Sequence, residues 1–269
     1  MDAPTLTGTS SEGPREPRRV VRRSPVRKKI GVMPEHSFLR LLGDDAATEL
    51  IAANIVRTYP RNHVITSDYA RRGAVHLLLT GWVLESQLYN GGCQGTTLRG
   101  PGEILGDVAV FGQSVPTTST CEGPVTAVVM PTARLAHFLE SHPTASSAFT
   151  QSLTHRLQRT QQQYAAVARP SEERIAACIY DLAERWGEAS PDGRIMIRGI
   201  SQAHIAHVLV MSRASVENTL RLLRELGVLE TGYRTIRVLN LPYLRKFAVN
   251  YEIALDDPQE ETHLVPEQR

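Results

Sequence analysis

Within one short stretch the chain sets Arg213, Ala214, Ser215, Glu217, Asn218 and Arg221, and most of these side chains can hydrogen-bond to the edges of nucleic-acid bases. An arginine fork fits the O6 and N7 acceptors of guanine, and an asparagine amide fits adenine. A glutamate can accept from the N4 amino group of cytosine, although Glu217 can equally face solvent. Ser215 can bond a base or a phosphate. Reading of this kind needs the polar side chains on one face of a helix whose back is apolar, and Val216, Leu220, Leu223 and Leu226 form that back. Ser212 has the chemistry to cap the start of the helix, and Gly227 marks its end.

A second, shorter helix precedes it. Ser201 can cap this helix, Gln202 lies in its first turn, and Ile205, Ala206 and Leu209 give it an apolar side. Only about three residues separate the two helices, so they must cross sharply, and Ala206 is small where they would approach. Val210 stands where a tight turn usually has glycine, which is tolerable if its φ stays below zero. After Gly227 come Val228-Leu229-Glu230, the turn Thr231-Gly232-Tyr233 and the run Thr235-Ile236-Arg237-Val238-Leu239. Two strands around a glycine turn form a wing, with Tyr233 and Arg234 at its tip beside the nucleic-acid backbone. This is the winged helix-turn-helix arrangement, whose second helix lies in the major groove. The blander reading is a helical hairpin and a β-hairpin with structural duties only.

Other chemistries lack their parts. The three cysteines, Cys93, Cys121 and Cys178, include no closely spaced pair that would start a zinc or iron–sulfur site. His204 and His207, three apart on a helix, could share a metal but have no clear third ligand, and a face beside DNA explains them equally. His76 lies inside an apolar strand with nothing to make it a haem ligand. No Ser/His/Asp set, phosphate-binding glycine loop or carboxylate pair stands out, so neither an enzyme nor a metal site is expected.

A chain of 269 residues, 41% hydrophobic and 22% charged, suits two folded domains better than one. No window offers the roughly 18 uncharged apolar residues of a membrane span. No apolar stretch follows the basic residues near the start, so a secretory signal is not expected and the cytoplasm is the default location. Residues 1–33 carry Arg15, Arg18, Arg19, Arg22, Arg23, Arg27, Lys28 and Lys29 and read as a disordered basic arm. Such an arm can add phosphate contacts or be a solvated tail. The other end, with Asp256, Asp257, Glu260, Glu261 and Glu267, reads as an acidic tail on a C-terminal extension over 243–269.

Short helices are expected between Phe38 and Ala53. Strands are then expected at His63-Val64-Ile65, Val75 to Leu79, Trp82-Val83-Leu84, Thr96-Thr97-Leu98 and Thr126 to Met130. Turns such as Asn90-Gly91-Gly92 and Pro101-Gly102 separate them, which argues for a barrel or jelly-roll-like domain over 34–142. From Pro143 to about residue 169 a long helix bears one narrow apolar seam, Phe149, Leu153, Leu157, Thr160, Tyr164 and Val167, suited to packing on its own twin. Packing against the strands is the alternative. Pro170 breaks the helix, with Ser171 as the expected N-cap of the next one, and the DNA-binding domain is expected over 170–242.

Across residues 34–240 the chain resembles the Crp/Fnr superfamily of regulators. The resemblance rests on Tyr59-Pro60, Gly81-Trp82-Val83, Pro101-Gly102-Glu103-Ile104-Leu105-Gly106-Asp107 and Arg174-Ile175-Ala176. It continues through Ile205-Ala206, Ser212-Arg213-Ala214-Ser215-Val216 and Gly232-Tyr233-Arg234-Thr235-Ile236. It implies an α+β fold: a β-roll of the cyclic-nucleotide-binding type, a long dimerisation helix and a C-terminal winged helix-turn-helix. It further implies a cytoplasmic homodimer on a two-fold double-stranded DNA operator, with RNA polymerase as a partner. In the recognition helix the family commonly has Arg-Glu and a second arginine. Here Arg213, Ala214 and Asn218 stand there, so a different half-site is expected.

Ligand-binding relatives hold a cyclic nucleotide with a Gly-Glu-Leu start, a short helix and an Arg-Ser or Arg-Thr pair. The resemblance maps this pocket onto Gly106, Asp107, Val108, Ala109, Thr117, Thr118, Thr160 and Gln161. Thr117 in place of the phosphate arginine forfeits about 1.5–3 kcal/mol of charge-assisted bonding, so the pocket reads as partly degenerate and without its charge. Cyclic AMP with a variant phosphate cassette, another small effector and no ligand all stay open. So does a ligand-binding module with a vestigial DNA domain.

Overall fold

The computed structural model describes residues 33–66, 73–89, 92–113 and 117–250. The basic arm before Met33, the Asn90-Gly91 turn, Pro116 and the acidic tail beyond Asn250 lie outside the described residues. The chain is α+β, and the β-roll is built from two four-stranded sheets. One runs β1 (Ile55–Tyr59), β8 (Val125–Pro131), β3 (Ala74–Thr80), β6 (Ile104–Leu105). The other runs β2 (Val64–Thr66), β7 (Thr117–Cys121), β4 (Val83–Tyr89), β5 (Gly92–Arg99). The apolar character of β3, broken only by buried His76, follows from burial on both faces. Its Val75, Leu77 and Leu79 meet the helices, whereas Leu78 points between the sheets onto Val83, Leu105, Cys121 and Ala127. Strands β6 and β7 had no clear signature in the sequence, being two residues long and threonine-rich respectively, and β1 was not expected as a strand.

The helices α1 (Phe38–Leu42), α2 (Asp44–Ala52) and α3 (Thr132–Ser141) cover the first sheet together with the start of the long helix α4 (Pro143–Ala165). Phe38 meets Phe149 edge-on with ring centroids 5.7 Å apart. With 23 residues α4 is about 35 Å long. Its seam therefore divides: Phe149 is buried in the β-roll core, while Leu157, Tyr164 and Val167 leave that core and are exposed. Next comes α5 (Ser171–Trp186), where Pro170, not Ser171, holds the N-cap position, so the expected cap is one residue off.

The C-terminal unit joins α5 to a sheet in the order β11 (Leu229–Gly232), β12 (Thr235–Val238), β10 (Ile195–Arg198), β9 (Glu188–Ala189). It also contains α6 (Gln202–Leu209), α7 (Arg213–Glu225) and α8 (Leu241–Val249). Packing in this unit continues past the boundary expected at residue 242. Asn240 caps α8 by accepting from the Tyr243 amide at 2.9 Å, and Leu244 and Phe247 are fully buried against α5 in the core of this unit.

That core does not stop at the unit's edge. Trp82 and Leu98 of the β-roll belong to it. The Trp82 and Trp186 rings meet at 4.6 Å, nearly perpendicular, and the Trp82 indole donates to the Arg198 carbonyl at 2.9 Å. Gly199 and Gly100 permit this approach, since a Cβ would lie 2.5 Å from Trp82 or 2.8 Å from Trp186. No described helix is long and apolar enough to cross a membrane.

Candidate nucleic-acid interface

Helix α6 begins with a reciprocal cap. The Ser201 hydroxyl accepts from the His204 amide at 3.4 Å, and the Ser201 amide donates to His204 Nδ1 at 3.3 Å. With Nδ1 accepting, the imidazole proton sits on Nε2, which donates to the Glu122 carboxylate at 2.7 Å. Burial pushes the His204 pKa down, against the pull of Glu122, in keeping with a neutral ring. The other end of α6 is closed by Arg174 of α5, which donates to the Leu209 carbonyl at 2.9 Å. His204 is thus engaged, and His207 lies exposed beside it.

The turn between α6 and α7 overturns one expectation. Val210 adopts φ 54° and ψ 52°, the left-handed conformation that the sequence reading required it to avoid. A crossing this tight demands the left-handed turn, and tertiary packing imposes it on a β-branched residue at a cost of about 1–2 kcal/mol. The side chain is 80% exposed, so it contributes little by burial. Val210→Gly is therefore expected to stabilise the protein by about 1 kcal/mol, after allowing for the greater freedom of an unfolded glycine. Urea unfolding measures this, and an unchanged or lower midpoint would show that the turn is not strained.

Helix α7 opens on Ser212, whose hydroxyl accepts from the Ser215 amide at 3.0 Å. Val216, Leu220 and Leu223 are buried behind it, leaving Arg213, Ala214, Asn218 and Arg221 on the exposed face. The Asn218 side-chain carbonyl accepts from Arg221 at 3.1 Å, which aligns the two as a pair. Glu217 is half-buried and accepts from Arg224 at 2.9 Å, the bond that chiefly lowers its pKa. Arg224 also donates to Thr231 of β11 at 3.0 Å, fixing the wing to the recognition helix. Ser201 and Ser212 thus serve as caps, half-buried Gln202 bonds to Glu217, and Glu217 is held as a strut.

The two wing-tip residues part company. Tyr233 is 88% exposed. Arg234, in left-handed geometry at φ 52°, turns inward and donates to the carbonyls of Glu122 at 2.7 Å and Gly199 at 3.1 Å. The expected placement of Arg234 beside a nucleic-acid backbone is thus not what this conformation presents.

In the β-roll, Gly106 takes φ 78° and starts a tight helical turn over Asp107–Phe111. Asp107 is buried, whereas Val108 and Ala109 are half-buried. Thr117 is buried on β7 opposite Gln87, and half-buried Thr118 lies opposite Ser86. Thr160 and Gln161 are exposed on α4, and the Thr160 hydroxyl donates to the Arg156 carbonyl at 3.0 Å. Charge does stand near this turn, paired within the protein. Asp107 is bonded to Arg156 and lies 3.5 Å from Arg99, so two guanidinium groups stand at the carboxylate.

Those two arginines belong to a larger buried network. Arg99 also reaches Glu85 at 3.3 Å and Glu103 at 3.8 Å. Glu103 further receives Arg159 of α4 at 3.4 Å and Arg185 of α5 at 2.7 Å, and accepts from the Gly100 amide at 3.1 Å. Burial alone would raise the Glu103 carboxyl, but Arg185, Arg99, Arg159 and the Gly100 amide hold it at about 2. One carboxylate therefore joins the β-roll, the long helix and the C-terminal unit. Arg99, Glu103 and Arg185 had no signal in spacing, because residues distant in sequence converge here through the fold.

Residues 173–247 match the Crp-like helix-turn-helix domain family. No curated protein sequence matches the chain. Among solved structures, a CooA variant from Carboxydothermus hydrogenoformans is 18% identical with a TM-score of 0.62, over 79% of this chain and 95% of that one. FixK2 from Bradyrhizobium japonicum is 18% identical with a TM-score of 0.61, over 72% and 96%. A transcriptional regulator of the CRP/FNR family from Thermus thermophilus is 21% identical with a TM-score of 0.52, over 72% and 98%.

Proposed function

From a chain of the Crp/Fnr type that carries a Crp-like helix-turn-helix domain, we propose a sequence-specific, non-catalytic regulator that reads a two-fold operator as a homodimer in the cytoplasm. The observation that carries this is α7 itself. Its Arg213, Asn218 and Arg221 stand exposed along one face of a helix whose back is buried and whose wing is fixed through Arg224. A structural hairpin has no use for an exposed row of base-reading groups on a rigid helix. Arg213 is assigned to guanine and the Asn218–Arg221 pair to the next bases inward. Tyr233 and the basic arm are assigned to the phosphate backbone. RNA polymerase is the partner that the resemblance adds on promoter DNA.

The homodimer is supported by Leu157 and Tyr164 on the outer half of α4 and Val167 in the turn just after it, large apolar side chains left exposed at seam spacing. Two copies joined there would present two α7 helices to half-sites about one DNA turn apart.

The test is binding of a genomic fragment pool followed by affinity for the selected site. Arg213→Ala is expected to weaken specific binding by about 1–3 kcal/mol and relax preference at one base pair, leaving nonspecific binding nearly unchanged. Equal affinity for selected and random DNA would refute the proposal. A second reading, with a cyclic nucleotide as effector, is favoured by the guanidinium groups of Arg99 and Arg156 beside Asp107. Calorimetric titration with cyclic AMP decides between it and a sensor whose charges are satisfied internally.

A further inference from the structure

Four contacts run from the β-roll to one small part of the reader, the segment from Arg198 to His204 and the wing arginine. The Glu122 carboxylate takes the His204 Nε2 proton at 2.7 Å, and the Glu122 carbonyl takes Arg234 at 2.7 Å. The Trp82 indole bonds the Arg198 carbonyl, and Gly199 lies against the Trp82 ring. Arg234 closes the set through the Gly199 carbonyl, while the Gly199 amide donates back to the Arg234 carbonyl at 2.8 Å.

The start of the first helix and the wing are the parts of a winged helix-turn-helix that meet phosphate groups on either side of the groove. Here both are already occupied. The occupant of the first is a carboxylate, which offers the same charge and acceptor geometry as a phosphate oxygen. Arg234 is the one cation at the wing tip, and a single turn residue of the β-roll, Glu122, engages both it and His204.

We propose that the turn between β7 and β8 is an autoinhibitory latch, in which the Glu122 carboxylate stands in for a DNA phosphate at the start of α6 and the Glu122 main-chain carbonyl holds Arg234 back from the operator. This rests on the DNA-reading function proposed above. In the latched state α7 can approach bases but the flanking backbone contacts are missing. Full affinity requires the Glu122 turn to give way to phosphate at both places, and anything that shifts the β-roll relative to α6 controls that exchange.

The full-length protein with Glu122→Ala tests the latch, since the substitution lies in a turn and removes only the carboxylate arm. Binding to the selected operator and to random DNA is expected to tighten at least about fivefold, the scale of one charge-assisted hydrogen bond. Amide hydrogen exchange over residues 199–204 is expected to speed up in the absence of DNA. Unchanged or weaker DNA binding by Glu122→Ala, or unchanged exchange over 199–204, overturns the latch while leaving the regulator reading in place. If wild type and variant both fail to prefer any DNA fragment, the regulator reading falls and the latch falls with it.

Discussion

Glu103→Ala is expected to destabilise the protein by about 3–5 kcal/mol, because it leaves buried guanidinium groups without a shared counter-charge. Arg185 and Arg159 both rest on the same carboxylate oxygen, and Arg99 on the other. The pattern of the loss is as informative as its size. Glu103 ties the β-roll to α4 and α5, so urea unfolding should change from one transition toward two as the units come apart.

Acid should reproduce the effect in the wild-type chain. An unfolded glutamate titrates near ~4.3, whereas folded Glu103 is held at about 2. Its contribution is therefore complete above the unfolded value and fades as pH falls from there towards 2, by about 3 kcal/mol in all. His76 acts in a higher window. Burial, helped by Arg57, lowers its pKa to about 4, so the stability gained by keeping it neutral fades between about 6.5 and 4. Urea midpoints for both proteins from pH 7 to pH 3 separate the two, since Glu103→Ala should keep the upper step and lose the lower one. An identical pH profile in the two proteins would remove Glu103 from the junction.

The other large effect belongs to α4. Joint replacement of Leu157 and Tyr164 by aspartate should yield a folded monomer with operator affinity reduced roughly a hundredfold or more, because the second half-site no longer binds as an intramolecular event. Tyr164 is 80% exposed and Leu157 59%, so the substitutions place charge on an open face and should spare the β-roll core. Sedimentation velocity reads the oligomeric state and fluorescence anisotropy the affinity. A variant that remains a dimer would move the interface elsewhere.

The sequence made the reader legible because its rules are local. Ser201 and Ser212 announce two helix starts, the apolar periods of α6 and α7 assign their buried sides, and Gly227 and Gly232 mark the turns. Val210 marks the limit of that reasoning, since residue preference favours one backbone region and the crossing of two helices imposes another. The sensor was legible as a fold but not as a site. Thr117 drew attention because it interrupts an expected pattern, yet the charges at Asp107 come from Arg99 on β5 and Arg156 on α4. Neither arginine has a spacing relative to Asp107 that a periodic rule could detect. Arg234 was assigned to the wing tip correctly and to DNA from its residue type. Its actual partner, Glu122, lies more than a hundred residues earlier and is placed there only by docking of the two units.

That docking also gives the protein a built-in spectroscopic probe. The chain has two tryptophans, Trp82 and Trp186, and they touch each other across the boundary between the β-roll and the C-terminal unit. The Arg185 guanidinium lies 3.5 Å from the centre of the Trp186 ring, so the cation of the junction sits directly against one fluorophore. Any separation of the units hydrates both indoles and parts that cation from Glu103, and no tryptophan elsewhere dilutes the signal. Tryptophan emission can thus follow any ligand, DNA or acid that moves the C-terminal unit from the β-roll, without a label.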